Sequence, residues 1–440
     1  MNLSKSPKTE ELDQIRQNLA RLDPVGVAEE LARLERPARA MVFRLLPRDL
    51  ARRTFRYLDP AHQEDLLAGL SDERAVRLVE EMDPDDRARL FGDLPAEVVR
   101  RLLAGLSPDQ RRFTSVLLGY PEESAGRIMT PEFVQLEPGM TVGEALERYR
   151  RRSAEIETHY ALPVAGDRNR LVGTVEIRDL LLAAPESRLA EVMNGEPRSV
   201  KVDEDQEAVA RLIQAADLLA VPVVDGEGCV VGLITVDDAM DVLTLEESED
   251  LARVGASEPL GRPYFSVSIF RLARRRMVWL LLLVVASTLT VHVLDAFEDS
   301  LQAAVGLALF IPLLIGTGGN AGAQSSTTIV RGMAVGEVRV RDLLRTALRE
   351  TVVGLLLGIM LGALGVAPVW LFAGRSMALV IALSLVTICT LASLVGAIMP
   401  ILARAADVDP AVVSAPFVTT VVDASGLLVY FLIARAVLNL

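Results

Sequence analysis

Between residue 277 and the C-terminus the chain carries only 9 acidic and 8 basic side chains, most of them gathered into short clusters with long apolar runs between them. Five of these runs, at 277–294, 301–330, 351–374, 376–403 and 410–438, reach or exceed the roughly 17 apolar residues that cross a hydrocarbon core. In lipid a segment that is not part of a closed barrel must pair its backbone groups internally, so runs of this length become helices. Residues 277–440 therefore read as an α-helical transmembrane domain of five helices.

The rest of the chain has the opposite character. Residues 1–250 hold 49 acidic against 32 basic side chains, a net of −17 within a whole-chain net of −13 over 440 residues. A surface this acidic repels nucleic acid and anionic lipid and gathers cations, so no nucleic-acid partner is expected. Cys229 and Cys389 lie far apart in apolar surroundings and suggest neither a disulfide framework nor a metal knuckle. Residues 1–19 carry charges throughout with no apolar core, so no signal peptide is expected. Arg271, Arg274, Arg275 and Arg276 abut the first apolar run, a positive-inside signal. Arg339, Arg341, Arg345 and Arg349 then fall on the same side, and Asp295, Glu298 and Asp299 on the other. The expectation is a multi-pass protein of the inner (plasma) membrane, with its N-terminal domains cytoplasmic and its C-terminus outside.

Two internal repeats organise the acidic half. Leu46-Pro47, Leu58-Asp59-Pro60, Leu70-Ser71, Met82-Asp83-Pro84, Leu94-Pro95 and Leu106-Ser107-Pro108 recur every 12 residues. Each marks an apolar helix end followed by an N-cap or first-turn proline of the next helix, which predicts an all-α helical superhelix over 1–127. In the second repeat Met129-Thr130-Pro131 matches Met193-Asn194, Glu144-Ala145-Leu146 matches Glu207-Ala208-Val209, and Leu162-Pro163-Val164 matches Val221-Pro222-Val223. Val172-Gly173-Thr174-Val175 likewise matches Val231-Gly232-Leu233-Ile234. Each copy reads as a short strand, an amphipathic helix (142–152; 206–218), two alternating strands around a Gly-Asp or Asp-Gly turn, and a closing helix. This resembles an α/β tandem CBS pair over 128–243, with copies at 128–186 and 187–243. A connector, acidic then basic, fills 244–276.

Catalytic signatures are missing, since His62, His159 and His292 sit in three different segments without a nucleophile, metalloprotease or phosphate-loop motif, so no enzyme is expected. The informative chemistry lies in the apolar runs. Asp423 is the only charge between Pro410 and Ala434. A carboxylate at mid-membrane costs roughly 2.5–3.5 kcal/mol on the lenient insertion scale, so such residues face a pore, a cavity or a cation. Pro416 is expected to free a carbonyl four residues earlier, adding backbone oxygen to Thr419, Thr420 and Asp423. Oxygen-only donors suit a hard cation such as Mg²⁺, which keeps much of its water and needs one or two carboxylates. A symmetric pair of chains would bring two copies of Asp423 to one axis. The alternatives for Asp423 are a proton relay or an ion pair with arginine. In the second run, Asn320, Gln324 and Ser325 stand with further hydroxyls among glycines; small residues explain close packing, whereas the polar ones suit a wet, pore-lining face.

The order of helical acidic repeat, CBS pair, acidic connector and five spans carrying GGNAGAQSST and SAPFVTTVVDASGLL resembles the MgtE family of magnesium channels over nearly the whole chain. The resemblance implies a homodimer with one pore at its interface, Asp423 as the central Mg²⁺ contact, and backbone oxygens from Thr419 and Ala415. It also implies closure by cytosolic Mg²⁺ through the connecting, or plug, helix. The matching sensor carboxylates are Asp85, Asp205, Glu207, Asp217, Asp238, Asp241, Glu246, Glu249 and Asp250. Arg89 stands where relatives tend to carry a second acid, with Asp86 nearby, and Ala323 replaces a residue often polar in relatives. CBS pairs often bind adenine nucleotides through Thr-x-x-Asp, which points to ATP or ADP at the second copy, at Thr235, Asp238 and Pro222. The function expected is a Mg²⁺-selective, Mg²⁺-gated channel; the alternatives are a regulated carrier for Co²⁺ or Mn²⁺ and a non-transporting membrane sensor.

Overall fold

The computed structural model describes residues 19, 22–34, 36–153, 156–260, 267–413 and 415–440. Residues 1–18, residues 261–266 of the connector and Ser414 lie outside the described residues. The chain forms two compact units, Met1–Glu246 and Glu247–Leu440.

The first unit opens with helices α1 (Pro24–Ala32), α2 (Arg36–Leu45), α3 (Arg48–Arg56), α4 (Pro60–Ala68), α5 (Asp72–Glu80), α6 (Pro84–Asp93), α7 (Ala96–Gly105) and α8 (Pro108–Leu118). From α2 onward each helix starts 12 residues after the previous one, as the sequence repeat requires, and helices pack on the next but one. Val27, Leu31, Phe55, Val79, Leu90 and Leu102 form the spine of the core. A second, 24-residue period runs beneath the first, buried at Arg39, Gln63 and Arg87 and exposed at Arg111. Arg39, Gln63, Arg87 and Arg111 each donate to the carbonyl eight residues earlier, on Leu31, Phe55, Val79 and Leu103, at 3.0, 2.9, 2.7 and 2.9 Å. These bonds satisfy carbonyls that a helix C-terminus leaves without partners, so a stack of short helices needs such a donor at every second turn of the repeat. Of the expected caps, Asp59 accepts from the backbone N–H of His62 at 3.0 Å. Asp83 and Ser107 occupy N-cap positions without accepting a side-chain capping bond, and Asp83 pairs with Arg56 instead.

After the short α9 (Ala125–Ile128) come α10 (Val142–Arg152), β1 (Ala161–Ala165), β2 (Leu171–Glu176), α11 (Ile177–Leu182), α12 (Leu189–Val192), β3 (Val200–Lys201), α13 (Gln206–Ala215), β4 (Ala220–Val224), β5 (Val230–Thr235) and α14 (Val236–Val254). β1 and β2 pair antiparallel, as do β4 and β5, while β3 lies parallel to β4. The short first strand expected in the first copy is reduced to a single bridge, Leu136 to Val164. The duplication appears as an exchange between the copies. Thr130 and Leu233 trade both backbone hydrogen bonds at 2.7 and 2.9 Å, and Asn194 and Thr174 do the same at 2.8 and 3.1 Å. Met129 and Met193 then lie against the opposite copy's glycine, where a Cβ on Gly232 or Gly173 would come within 2.6 Å of the sulfur. Ala88 and Leu117 share a core with Met129, Val209 and Ile234, which seats the helical stack on the second copy. The expected boundary at 243/244 is not a break, because α14 has no Gly or Pro there to interrupt it and runs on to Val254.

The second unit holds α15 (Ile269–Ala296), α16 (Glu298–Ala303), α17 (Gly306–Ala334), α18 (Leu343–Ala373), α19 (Arg375–Ala405) and α20 (Ala415–Leu438). Five of these are long and apolar enough to cross a membrane. α15 starts ahead of its apolar run because Ser268 caps it, accepting from the N–H of Arg271 at 3.4 Å. The second run breaks into α16 and α17, with Ala304 at φ −140°, ψ 76° between them. Gly374, at φ +86°, separates α18 from α19, a conformation that favours glycine. Gly354 and Gly358 let α18 and α19 touch backbone to backbone, since a Cβ there would lie 2.6 Å from the Cys389 carbonyl oxygen and 2.5 Å from Val386 Cα.

Candidate ion pathway and cation sensor

Asp423 sits in the ninth position of α20, about 12 Å along the axis at 1.5 Å per residue. Its carboxylate faces Gly319 of α17, where a Cβ would lie 3.6 Å from Oδ1 and 3.4 Å from Thr419 Cγ2. Glycine at 319 therefore keeps open the space beside the acid. Among the described residues Asp423 has no hydrogen-bond or ion-pair partner, so the arginine pair considered for it is not formed. Pro416 departs from its expected part. It lies in the first turn of α20, where a missing N–H breaks no helical bond. The Pro416 carbonyl instead accepts from the hydroxyls of Thr419 and Thr420 at 2.8 and 2.9 Å. Ala415 opens the helix, one turn below Thr419.

On α17, Asn320, Gln324, Thr327 and Thr328 are exposed, with Thr317 half-buried one turn before them. A single chain thus presents a polar helix stripe in the apolar half of the molecule. Ser325 points elsewhere: it is buried, donating to Glu350 on α18 and sharing its hydroxyl with the Ser393 carbonyl on α19, each at 2.9 Å. Its hydroxyl therefore serves helix packing. Glu350, a carboxylate near the start of an apolar run, stood out in no sequence pattern.

In the first unit Asp85, Glu157 and Asp238 bring one carboxylate oxygen each within 4.8 Å of one another. α6 supplies Asp85, α14 supplies Asp238, and the segment between α10 and β1 supplies Glu157. Asp85 is 6% exposed, and both Asp85 Oδ1 and Glu157 Oε2 are buried without a hydrogen-bond partner among the described residues. At that spacing each ionised pair repels by roughly 3–4 kcal/mol at an effective dielectric constant near 20. Burial, then the charges of Asp238 and Glu157, hold the Asp85 carboxyl well above the usual carboxylate range. Burial raises Glu157 to about 8, against a lowering hydrogen bond from Thr130. Asp238 is raised by burial to about 6, although the Thr235 hydroxyl bonded to it pulls the other way. Such a site wants a proton or a hard cation. A cavity of about 240 Å³ beside it, lined by Asp85, Asp238, Glu122 and Glu123 together with Arg89 and Arg127, gives room for an ion that retains water.

The other expected sensor residues are not part of that cluster. Asp205 caps α13, accepting from Ala208 at 3.0 Å, and Glu207 pairs with Arg211 at 2.6 Å. Asp217 lies at φ +52° in the turn after α13. Glu246 accepts from Gln206 at 2.9 Å, Asp241 pairs with Arg89 at 3.1 Å, and Glu249 pairs with Arg253, which also reaches Asp409. Asp250 follows Glu249 on α14. Of the residues matched to nucleotide binding, Pro222 is buried in β4, and Thr235 ends β5 with its hydroxyl on Asp238.

Acids raised in the folded state bind protons more tightly folded than unfolded. Their contribution is complete below the unfolded values near 4 and is lost as pH rises towards 8. Metal-free full-length protein in chelator should therefore show a falling first-unit melting temperature from pH 6 to pH 8, by about 2–4 °C per kcal/mol lost. Asp85→Asn should flatten that slope, and an unchanged slope in the variant contradicts the assignment.

The chain matches the family profile described as divalent cation transporter (MgtE) over residues 311–433, the MgtE intracellular N domain over 22–123, and the CBS domain over 125–186 and 189–245. It is 38% identical over 428 residues to the magnesium transporter MgtE of Thermus thermophilus, spanning 97% of this chain and 95% of that one. Identity to the magnesium transporter MgtE of Bacillus subtilis is 31% over 414 residues, 91% of each. The crystal structure of the cytosolic domain of the Mg²⁺ channel MgtE in complex with ATP is similar at a TM-score of 0.50 and 37% identity, covering 53% of this chain and 97% of that one. A match that runs through the helical stack, the CBS pair and the apolar helices alike leaves one assignment: this chain belongs to the MgtE family of divalent cation transporters.

Proposed function

We propose that this protein is a Mg²⁺-selective channel of the cytoplasmic membrane, closed by cytosolic Mg²⁺ acting on its N-terminal and CBS domains. The observation that carries the reading is Asp423, a carboxylate without a partner among the described residues, in an apolar helix, set beside a glycine and next to a polar stripe. An exposed stripe of amides and hydroxyls is costly against lipid. Two copies of the chain facing each other across it would remove that cost and pool two Asp423 carboxylates around one water-filled path. The donors are all oxygen, which favours Mg²⁺ over softer ions such as Co²⁺. Thr419, Ala415, Asn320 and Gln324 belong to this path, and the homodimer has its N-terminal domains in the cytoplasm and its C-terminus outside. Closure follows if cations bind the carboxylates of the first unit only when its domains are together.

Adenine nucleotide binding at the second CBS copy belongs to the same proposal, through Pro222, Thr235 and Asp238. The support is the Thr-x-x-Asp spacing and the ATP complex of a cytosolic domain 37% identical to this one. Asp238 would then serve a ribose or a cation but not both, so the two ligands compete.

The test is flux through proteoliposomes with Asn320→Leu and Gln324→Leu combined. A channel loses at least about tenfold of its Mg²⁺ flux when its wet face turns apolar. A membrane sensor that transports nothing keeps its output, and retained output with no flux in the wild type would overturn the proposal.

A further inference from the structure

Beside the three-carboxylate cluster stands a cation that the chain supplies itself. Arg89 lies on α6, one turn beyond Asp85 and Asp86, and its guanidinium donates to Asp86 at 2.6 Å and to Asp241 at 3.1 Å. Asp86 belongs to the helical stack and Asp241 to α14, the helix that closes the second CBS copy and continues into the connector. One side chain therefore adds an ion-pair tie to the apolar seat that Ala88 and Leu117 already make between the two domains. The fork of an arginine reaches two acids at once, which a lysine's single ammonium does less well.

We propose that Arg89 is a fixed counter-cation of the sensor, occupying a bridge between the helical stack and α14 that a divalent ion would otherwise fill. Asp86 lies close enough to add to the charge felt by Asp85, Glu157 and Asp238. By offsetting one of the two negative charges of Asp86 and Asp241, Arg89 lowers the repulsion that closure must overcome and reduces the number of ions that closure takes up. The closed arrangement is then partly populated without metal, and the Mg²⁺ dependence of closure is shallow and set to lower concentrations. The pair is half-exposed, with side-chain exposures of 40% for Arg89 and 61% for Asp241. Its effect is therefore that of a partly screened ion pair and weakens with salt.

This inference rests on the reading that cytosolic Mg²⁺ closes the protein. The test is protease protection of the first unit in full-length protein in lipid nanodiscs, titrated with Mg²⁺. Arg89→Ala should raise the Mg²⁺ concentration for half-protection about three- to tenfold. Arg89→Lys should fall between it and the wild type. Arg89→Asp should remove protection at low Mg²⁺ yet steepen the titration, because a third carboxylate between Asp86 and Asp241 makes a second divalent site. Adding Asp241→Arg to Arg89→Asp restores the pair and should restore the shallow response, which a merely structural lesion would not do. Midpoint and slope unchanged in Arg89→Ala and Arg89→Asp would overturn the role of Arg89. A wild type whose protection ignores Mg²⁺ would instead overturn the gating reading beneath it.

Discussion

Asp423→Asn should abolish Mg²⁺ flux, by about a hundredfold or more, while leaving the fold as stable as the wild type or more so. A double positive charge 4.5 Å from a carboxylate gains roughly 7 kcal/mol at an effective dielectric constant of 20, and water between them takes back only part of it. An amide of the same shape offers a dipole where the ion needs a charge. Stability should not fall, since the amide costs less to bury in an apolar helix than the carboxylate does. Both halves of the result matter, and flux must be compared at equal insertion. A variant that conducts normally would show that the acid is not on the ion's route. A variant that fails to fold would show that Asp423 is held by a structural partner, contrary to its unpaired state.

Asp85→Ala, Glu157→Ala and Asp238→Ala together should uncouple the pore from cytosolic Mg²⁺. Moving a two-state equilibrium from 1:99 to 99:1 takes a differential affinity of about 10⁴. A site whose three ligands come from α6, α14 and the segment before β1 forms only when those elements meet, so an ion bound there favours the assembled arrangement. Without it, the half-inhibiting Mg²⁺ concentration should rise at least about tenfold, read as flux against cytosolic Mg²⁺. Glu157→Ala alone is the sharpest arm, because its neighbours could be matched to the family and it could not. Inhibition at the wild-type concentration would remove the cluster from gating.

Periodicity carried most of the fold into view. The 12-residue repeat predicted the helical stack because proline and N-cap residues sit at every helix start, and apolar runs predicted five spans because lipid permits little else. The 24-residue ladder through Arg39, Gln63, Arg87 and Arg111 was equally periodic, yet it reads as a polar surface until the helices are stacked and the carbonyls beneath it appear. Residue-level readings failed where a side chain has two faces to choose from. Ser325 shares a polar segment with Asn320 and Gln324 but turns inward to Glu350, and Pro416 reads as a helix breaker until the helix is seen to begin beside it.

Glu157 was illegible for a different reason. It lies between regular elements, where no period applies, and in the stretch where the first copy is four residues longer than the second. Arg89 carried a signal, a base within an acidic run, but its two partners lie 3 and 152 residues away, and only folding brings the second to it.

The most direct measurement of the whole account is Mg²⁺ flux through oriented wild-type protein in liposomes, with the ion varied separately on each side. Flux should rise with Mg²⁺ on the outer face and fall as Mg²⁺ rises on the face bearing the first unit. Flux that ignores the cytosolic side, or the absence of any flux above protein-free vesicles, would contradict it.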